Sequence, residues 1–496
     1  MACGCSSPTE NYDVVFIGGR VIDPETNLDG VRSVAIKDGR IAKVAKEPLT
    51  GDETIDISGL VLAPGFIDLH AHGQHRVAQE LQAQDGVTTA MEMELGAYPI
   101  QEFYEKREGN ALIHFGATVS HKCIRLKAQH DVTCPDPIDI LEGKPNAIGA
   151  LGAMFATQFP KPENRPLNSA ELQKLRELTQ SELNHGALGL GLGIEYVPGA
   201  SRAEIYSIFV EASKVKAPVF VHVRRRPLDD APGVPMAVAQ EVIANAAATG
   251  APLQLVHVAS TGLSDTKDIV DLIAQAQKQG LDITAEVYPY TAGGNTIGTN
   301  MLSEGWRERF NADYSDIAWI ATGERLTAAT FAKYREEQPD GGIILHVIPE
   351  DGVDYAIAHP AVSIASDGLV WMTGKEHPRG AGSFARVLGK YVREDELLSL
   401  PQAIRKMTLM PAQRMQDFAP AFAKKGRIQK GADADITIFD PKTVKDRATF
   451  TDPMQPSKGI QHVMVGGTFV VRDGILATDV NPGHGIKNRL ATAVND

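Results

Sequence analysis

His70-Ala71-His72 sets two imidazoles two residues apart, directly after Gly65-Phe66-Ile67-Asp68-Leu69. Side chains alternate faces along a strand, so residues two apart point the same way. Two imidazoles on one face at one strand end can grip a single cation. Glu92-Met93-Glu94 ends a second apolar run, residues 88–91, and the same parity turns both carboxylates toward one face. Carboxylates sharing an interior repel unless they are solvated or share a cation. Glu94, nearer the end of the run, is the preferred ligand and Glu92 the second choice. His222 closes the run 219–221 and His257 the run 253–256. One strand-end histidine is more often a satisfied core residue, but two on successive runs, in a chain already carrying His-x-His, read as ligands. Asp367 follows the run 362–366 and precedes Gly368. A carboxylate beside a cation-activated water can accept its proton and pass it to a leaving nitrogen. Together these residues describe metal-assisted hydrolysis, with His70, His72, Glu94, His222 and His257 as ligands and Asp367 as general acid/base. Among the other histidines, only His121, just past a third run, has a comparable setting.

Such residues converge only if the runs they terminate lie side by side with their ends together. The middle of the chain alternates short apolar runs with longer helical stretches, such as 169–185 and 235–249, which is the pattern of a parallel βα sheet. The runs are 60–67, 88–91, 113–117, 187–190, 219–221, 253–256, 283–285 and 362–364. Eight suffice to close a barrel, whose chemistry sits at the C-terminal strand ends. Both chain ends read instead as hairpins, with Asp38-Gly39 and Asp473-Gly474 as turn signals. The expected architecture is α/β. It has a (β/α)8 TIM-like barrel over 63–419, a small β-sandwich domain built from both termini (12–62 and 420–485), and a disordered tail over 1–11.

Of the 496 residues, 43% are hydrophobic, enough for a large core, and the net charge is −13. An acidic chain gains nothing from neutralising phosphates, so nucleic acid is not expected as a partner. No apolar run approaches the roughly 20 residues that span a bilayer. Cys3, Cys5, Cys123 and Cys134 are too few for a disulfide scaffold in a chain this long. The opening Met1-Ala2-Cys3-Gly4-Cys5 resembles a lipoprotein stripped of its signal peptide, although no h-region is present. Location is therefore expected as cytoplasmic for the sequence as it stands, or periplasmic if that tail is lipidated. A small-molecule substrate is the expected partner, with a homo-oligomer as the assembly to test.

The strand-end set resembles the amidohydrolase superfamily, as do Gly-Phe-Ile-Asp-Leu-His-Ala-His at 65–72 and Lys-Gly-Arg-Ile-Gln-Lys-Gly-Ala-Asp-Ala-Asp-Ile-Thr-Ile-Phe at 425–439. Three stretches are closer to the N-acyl-D-amino-acid deacylases: 186–199, 285–292 (Ala-Glu-Val-Tyr-Pro-Tyr-Thr-Ala) and 377–393. The resemblance implies one or two zinc ions that activate water against a linear amide, with Asp367 as acid/base. It also implies that Arg379, Tyr196 and Tyr288 hold the substrate α-carboxylate, with Tyr290 a weaker match. Arginine suits a carboxylate because its planar fork can donate two parallel hydrogen bonds. Where the family has cysteine in Asn-Cys-Gly, this chain has Glu94-Leu95-Gly96, so a carboxylate replaces a thiolate and can bridge two cations. Gly73-Gln74 stands in place of Asp-Asp, and Ala259 in place of lysine. His222 is followed by Val223-Arg224-Arg225-Arg226, either a solvated turn or a contact, through Arg224, for an acidic substrate side chain. The alternative is a cyclic-amide hydrolase of the hydantoinase or dihydroorotase kind. Those enzymes bridge two metals with a carboxylated lysine, and no run here ends in one. A scaffold without activity is the third reading, opposed by the near-complete ligand set.

Overall fold

The structure, a computed structural model, describes residues 11–72, 74–134, 136, 138–139, 165–224, 234–369 and 376–491. The tail with Cys3 and Cys5, and Arg225 and Arg226, lie outside the described residues.

All eight apolar runs supply strands of one parallel sheet, arranged in chain order. They are β1 (Phe66–Asp68), β2 (Val87–Ala97), β3 (His114–Ser120), β4 (Leu190–Gly193), β5 (Val219–His222), β6 (Leu253–Leu255), β7 (Ile283–Val287) and β8 (Val362–Ile364). A parallel sheet packed on both faces has nearly continuous apolar strands, and that is why the runs were visible. The circle closes between β8 and β1 through side chains. Buried Asp68 accepts from the backbone N–H of Ser366 at 3.1 Å and from its hydroxyl. Just beyond, Ala71–His72 pairs in parallel with Gly368–Leu369, which brings the His-x-His segment and Asp367 together.

Helices cover the outside. Ser169–Asn184 begins with a capping box in which Asn168 and Glu171 exchange hydrogen bonds. Thr266–Lys278 buries Ile269, Val270, Ile273 and Ala276 at helical spacing, so one apolar stripe faces the strands.

The terminal blocks join in one nine-stranded sheet. Its order runs Ile475–Leu476, Thr468–Arg472, Ile460–Val465, Ile436–Phe439, Val61–Pro64, Val14–Asp23, Leu28–Lys37 and Arg40–Ala45, with Glu53–Asp56 also on Val14–Asp23. Phe16, Ile36, Leu62, Ile436, Ile438 and Met464, from both chain ends, share its core. The run 60–67 divides between two sheets. Val61–Pro64 pairs with Ile436–Phe439, whereas Phe66–Asp68 enters the barrel. Gly65 marks the crossing, where a Cβ would fall 2.2 Å from the Thr88 hydroxyl.

Two features depart from the sequence reading. A three-stranded antiparallel sheet of Gly293–Thr296, Gly342–Leu345 and Ile317–Trp319 is inserted between β7 and β8, with a core that includes Ile297, Trp306, Ile317 and Phe331. Cys123 and Cys134 also form a disulfide.

Candidate active site

The ends of β1, β2, β5, β6 and β8 deliver six buried side chains to one point inside the barrel mouth: His70, His72, Glu94, His222, His257 and Asp367. They form two groups that share Glu94. Nε2 of His70 and of His72 lie 3.2 Å apart, 3.1 and 3.2 Å from Glu94 Oε2, and each 3.3 Å from Asp367 Oδ1. On the other side of the carboxylate, Glu94 Oε1 lies 2.6 Å from His222 Nδ1 and 3.4 Å from His257 Nε2, and those nitrogens are 3.1 Å apart. His257 and Asp367 both hold left-handed backbone, at φ 35 and 51. For non-glycine residues such conformations cost roughly 1–3 kcal/mol and gather at functional sites.

Each imidazole is aimed by a partner on its far nitrogen. His70 Nδ1 meets Glu286 Oε1 at 2.5 Å, and Gln254 donates to the other oxygen of Glu286 at 3.0 Å. His72 Nδ1 meets Glu92 Oε1 at 2.9 Å, His222 Nε2 meets Glu195 Oε2 at 3.2 Å, and His257 Nδ1 meets the Ser260 hydroxyl at 3.0 Å. A carboxylate on the far nitrogen takes that N–H and leaves the inner nitrogen a lone pair, the form in which histidine binds metal. Glu92, the second choice as ligand, thus orients His72. Glu286, Glu195, Gln254 and Ser260 were not read from the sequence. The available signal was parity: Glu286 shares the face of Tyr288, and both interrupt apolar stretches.

The electrostatics follow from the crowding. Burial opposes charge on His70, yet Asp367, Glu286 and Glu94 raise its pKa well above the usual histidine value. His72 is raised in the same way, against burial, chiefly by Glu92. His222 rises to about 9 against burial, through its bonds to Glu195 and Glu94. His257 is lowered by burial and by the neighbouring His222 charge. Glu94 and Asp367 stay well below the carboxylate range. Burial opposes this but is outweighed, by His70 and the bonds from His222 and His257 for Glu94, and by Arg379 and His70 for Asp367. In their unprotonated form the inner nitrogens would set lone pairs against one another and against the carboxylate oxygens at 3.1–3.4 Å, a repulsion that a cation among them removes. The donor set, four imidazoles with the carboxylates of Glu94 and Asp367, therefore fits one or two divalent ions of the zinc type.

A cavity of about 550 Å3 opens over this centre. Tyr196, Tyr288 and Arg379, the carboxylate-binding candidates that the resemblance implies, are on its wall. Arg379 Nη1 lies 2.9 Å from Asp367 Oδ2, and its guanidinium stands 4.8 Å from the Tyr288 ring centre. Burial pushes the Tyr288 phenol up to about 12 and raises Tyr196 well above the usual phenol value, so both remain hydroxyl donors. Arg224 is not brought to this cavity. Glu241 takes its fork at 2.9 and 3.1 Å, and the Ala200 carbonyl takes Nη1 at 2.7 Å. Tyr290 lies behind the wall against His377 and Arg386. His121 turns to Glu204, at 2.9 Å.

Known proteins resemble this chain over nearly its whole length. The model of the amidohydrolase family matches residues 227–471. The chain is 30% identical to an N-acyl-D-glutamate deacylase of Alcaligenes xylosoxydans xylosoxydans, over 93% of this chain and 94% of that one. It is 27% identical to a D-aminoacylase of the same organism, over 94% and 95%. Among solved structures, an N-acyl-D-glutamate deacylase from Bordetella bronchiseptica superposes with a TM-score of 0.79 at 27% identity, covering 96% of this chain and 100% of that one. That protein was crystallised with zinc and a phosphonate inhibitor that mimics the tetrahedral intermediate of its reaction.

Proposed function

The chain belongs to the amidohydrolase family, among its N-acyl-D-amino-acid deacylases, and on that premise we propose that it hydrolyses N-acyl-D-amino acids to a carboxylate and a free D-amino acid. One observation carries this reading: His70, His72, Glu94, His222, His257 and Asp367 meet beneath a cavity whose wall presents Arg379.

The cofactor is zinc, as one or two ions. His70, His72 and Glu94 would hold one ion, and Glu94, His222 and His257 the other. Bound there, zinc makes water nucleophilic near neutral pH and polarises an amide carbonyl. The remaining work falls to side chains. Arg379 and Asp367 meet at one corner, so Arg379 can fix a substrate carboxylate while Asp367 faces the amide. Asp367 remains ionised under the influence of Arg379 and His70, so it can take a proton from the attacking water. It then returns that proton to the nitrogen as the C–N bond breaks. The hydroxyl adds to the acyl carbon, the hydrogen goes to the amine, and Asp367 ends as it began. Tyr196 and Tyr288, held neutral, donate hydrogen bonds to substrate oxygens.

The test is one assay on zinc-loaded protein with the metal quantified, comparing N-acetyl-D-amino acids, their L isomers and hydantoins. Turnover confined to the D amides is expected. Faster cleavage of hydantoins sinks the reading in favour of a cyclic-amide hydrolase. The Cys123–Cys134 bridge supports the periplasmic location of the two set out above, because disulfides persist in oxidising compartments. A thiol count on protein from each cell fraction tests this. No helix among the described residues is long and apolar enough to cross a membrane.

A further inference from the structure

An N-acyl-D-amino acid gives its amide to the metal centre and its α-carboxylate to Arg379. Two groups remain, the amino-acid side chain and the acyl tail, and the rest of the cavity must receive them. That part of the wall comes largely from the insertion between β7 and β8 and is predominantly apolar: Leu95, Met301, Trp319, Ile320, Ile344 and Leu369. We propose that this wall selects substrates carrying an apolar group and excludes those with a second carboxylate. The inference rests on the deacylase reading above.

Three observations support it. The first is charge. Arg379 is the only arginine or lysine on the described part of the wall, and it is already engaged with Asp367 at 2.9 Å. Asp340 lies on the same wall, so an acidic side chain would enter beside a like charge. A carboxylate taken from water without a counter-charge is heavily penalised, whereas an apolar group gains from the same transfer. Arg224, the sequence candidate for reading an acidic side chain, is held by Glu241 instead.

The second is space. The strand Gly293–Thr296 opens with two glycines that line the cavity. A Cβ on Gly293 would come within 3.6 Å of the Tyr288 hydroxyl, and one on Gly294 within 3.7 Å of His377. The absence of side chains there leaves that part of the cavity open. The third is a fixed aromatic face. Trp319 stacks on Tyr334 with centroids 4.4 Å apart and rings 8° from parallel. It fits because Gly341 has no side chain, since a Cβ there would fall 1.9 Å from the indole. The indole is thus packed between Tyr334 and the bare backbone of Gly341.

The apolar group can come from the side chain or from the acyl tail, and substrate pairs separate the two. With zinc-loaded enzyme, kcat/KM is measured for N-acetyl-D-alanine, N-acetyl-D-leucine, N-acetyl-D-phenylalanine, N-octanoyl-D-alanine, N-acetyl-D-glutamate and N-acetyl-D-aspartate. A gain of roughly tenfold or more over N-acetyl-D-alanine is expected for the bulky side chains, the long acyl tail or both, with the acidic substrates at the bottom. The series that gains identifies the source of the group. Acidic substrates equal to or better than leucine overturn the proposal and leave the deacylase reading standing. Failure to cleave any D substrate overturns that reading itself, and the proposal with it. Trp319→Ala should lower the ratio of kcat/KM for the favoured bulky substrate to that for N-acetyl-D-alanine roughly tenfold. Met301→Lys, at a half-buried position on the wall, should shift the leucine-to-glutamate ratio roughly tenfold toward glutamate. An unchanged ratio in a folded, zinc-replete Met301→Lys protein counts against the proposal.

Discussion

Asp367 touches both halves of the site: Oδ1 lies 3.3 Å from Nε2 of His70 and of His72, and Oδ2 lies 2.9 Å from Nη1 of Arg379. Its backbone is left-handed, at φ 51, so the chain is bent to put the carboxylate there. Asp367→Asn keeps the shape and hydrogen-bonding size of the side chain but removes its ability to carry a proton. The expected result is a fall in kcat of about 100-fold to 10,000-fold, the range for loss of an acid/base group. Bound zinc should change little, because the histidines and Glu94 remain. Near-normal turnover with normal zinc would remove Asp367 from its role.

Glu286 sits behind His70 at 2.5 Å and is itself held by Gln254 at 3.0 Å. It touches no reacting atom and acts as a positioning residue. Glu286→Gln should therefore weaken zinc at the His70–His72 group by about 10- to 100-fold, the usual cost of losing such a partner. The group of Glu94, His222 and His257 should bind as before. Zinc titration against a chelator, read as two separate affinities, distinguishes this from general unfolding, which would lower both.

What the sequence revealed and what it hid have physical causes. The barrel strands were legible because a parallel sheet buried on both faces leaves continuous apolar runs. The ligands were legible because parity at strand ends turns His70 and His72 to one side. The insertion was hidden because Gly293–Thr296 has no apolar pattern and its core is completed by Trp306 and Phe331 from helices. Glu286 could have been found as a charged residue on the inward face of β7, since Glu286 and Tyr288 share that parity. The tie of Arg224 to Glu241 was not legible because Glu241 is 17 residues away on the helix Val234–Thr249, a pairing no local pattern displays. The cysteine count gave no hint that Cys123 and Cys134 would meet, because tertiary contact decides that.

Arg379 invites a test that separates carboxylate binding from its contact with Asp367. Arg379→Met disturbs both, so activity alone says little. The informative quantity is discrimination between an N-acyl-D-amino acid and its carboxamide, measured as a ratio of kcat/KM values. Wild-type enzyme should favour the acid, and Arg379→Met should lose about 1.5–3 kcal/mol of that preference, the worth of a hydrogen bond to a charged group. Any general loss cancels in the ratio. An unchanged ratio would move the carboxylate site elsewhere.

Away from chemistry, one buried ion pair ties the terminal sheet to the barrel and sets an acid limit on stability. Lys425 Nζ lies 2.5 Å from Asp435 Oδ2, and Asp435 Oδ1 takes the Gly466 N–H at 2.8 Å and faces His114 Nε2 at 3.3 Å. His114 begins β3, so the carboxylate spans the junction. Burial works to raise the Asp435 pKa, but Lys425 and His114 outweigh it and hold the pKa far below the usual range. The folded state therefore binds fewer protons at Asp435 than the unfolded chain, whose aspartates titrate near about 3.9. By linkage, this stabilisation is fully present above that pH and is lost as the pH falls below it. Asp435→Asn leaves Lys425 buried with only Asp433 nearby, at 3.1 Å, and should cost about 3–5 kcal/mol at neutral pH. The variant should also lose stability less steeply than wild type between about pH 4 and pH 2. Thermal melts of both proteins across that range decide the matter, and parallel curves would show that Asp435 does not set the acid limit.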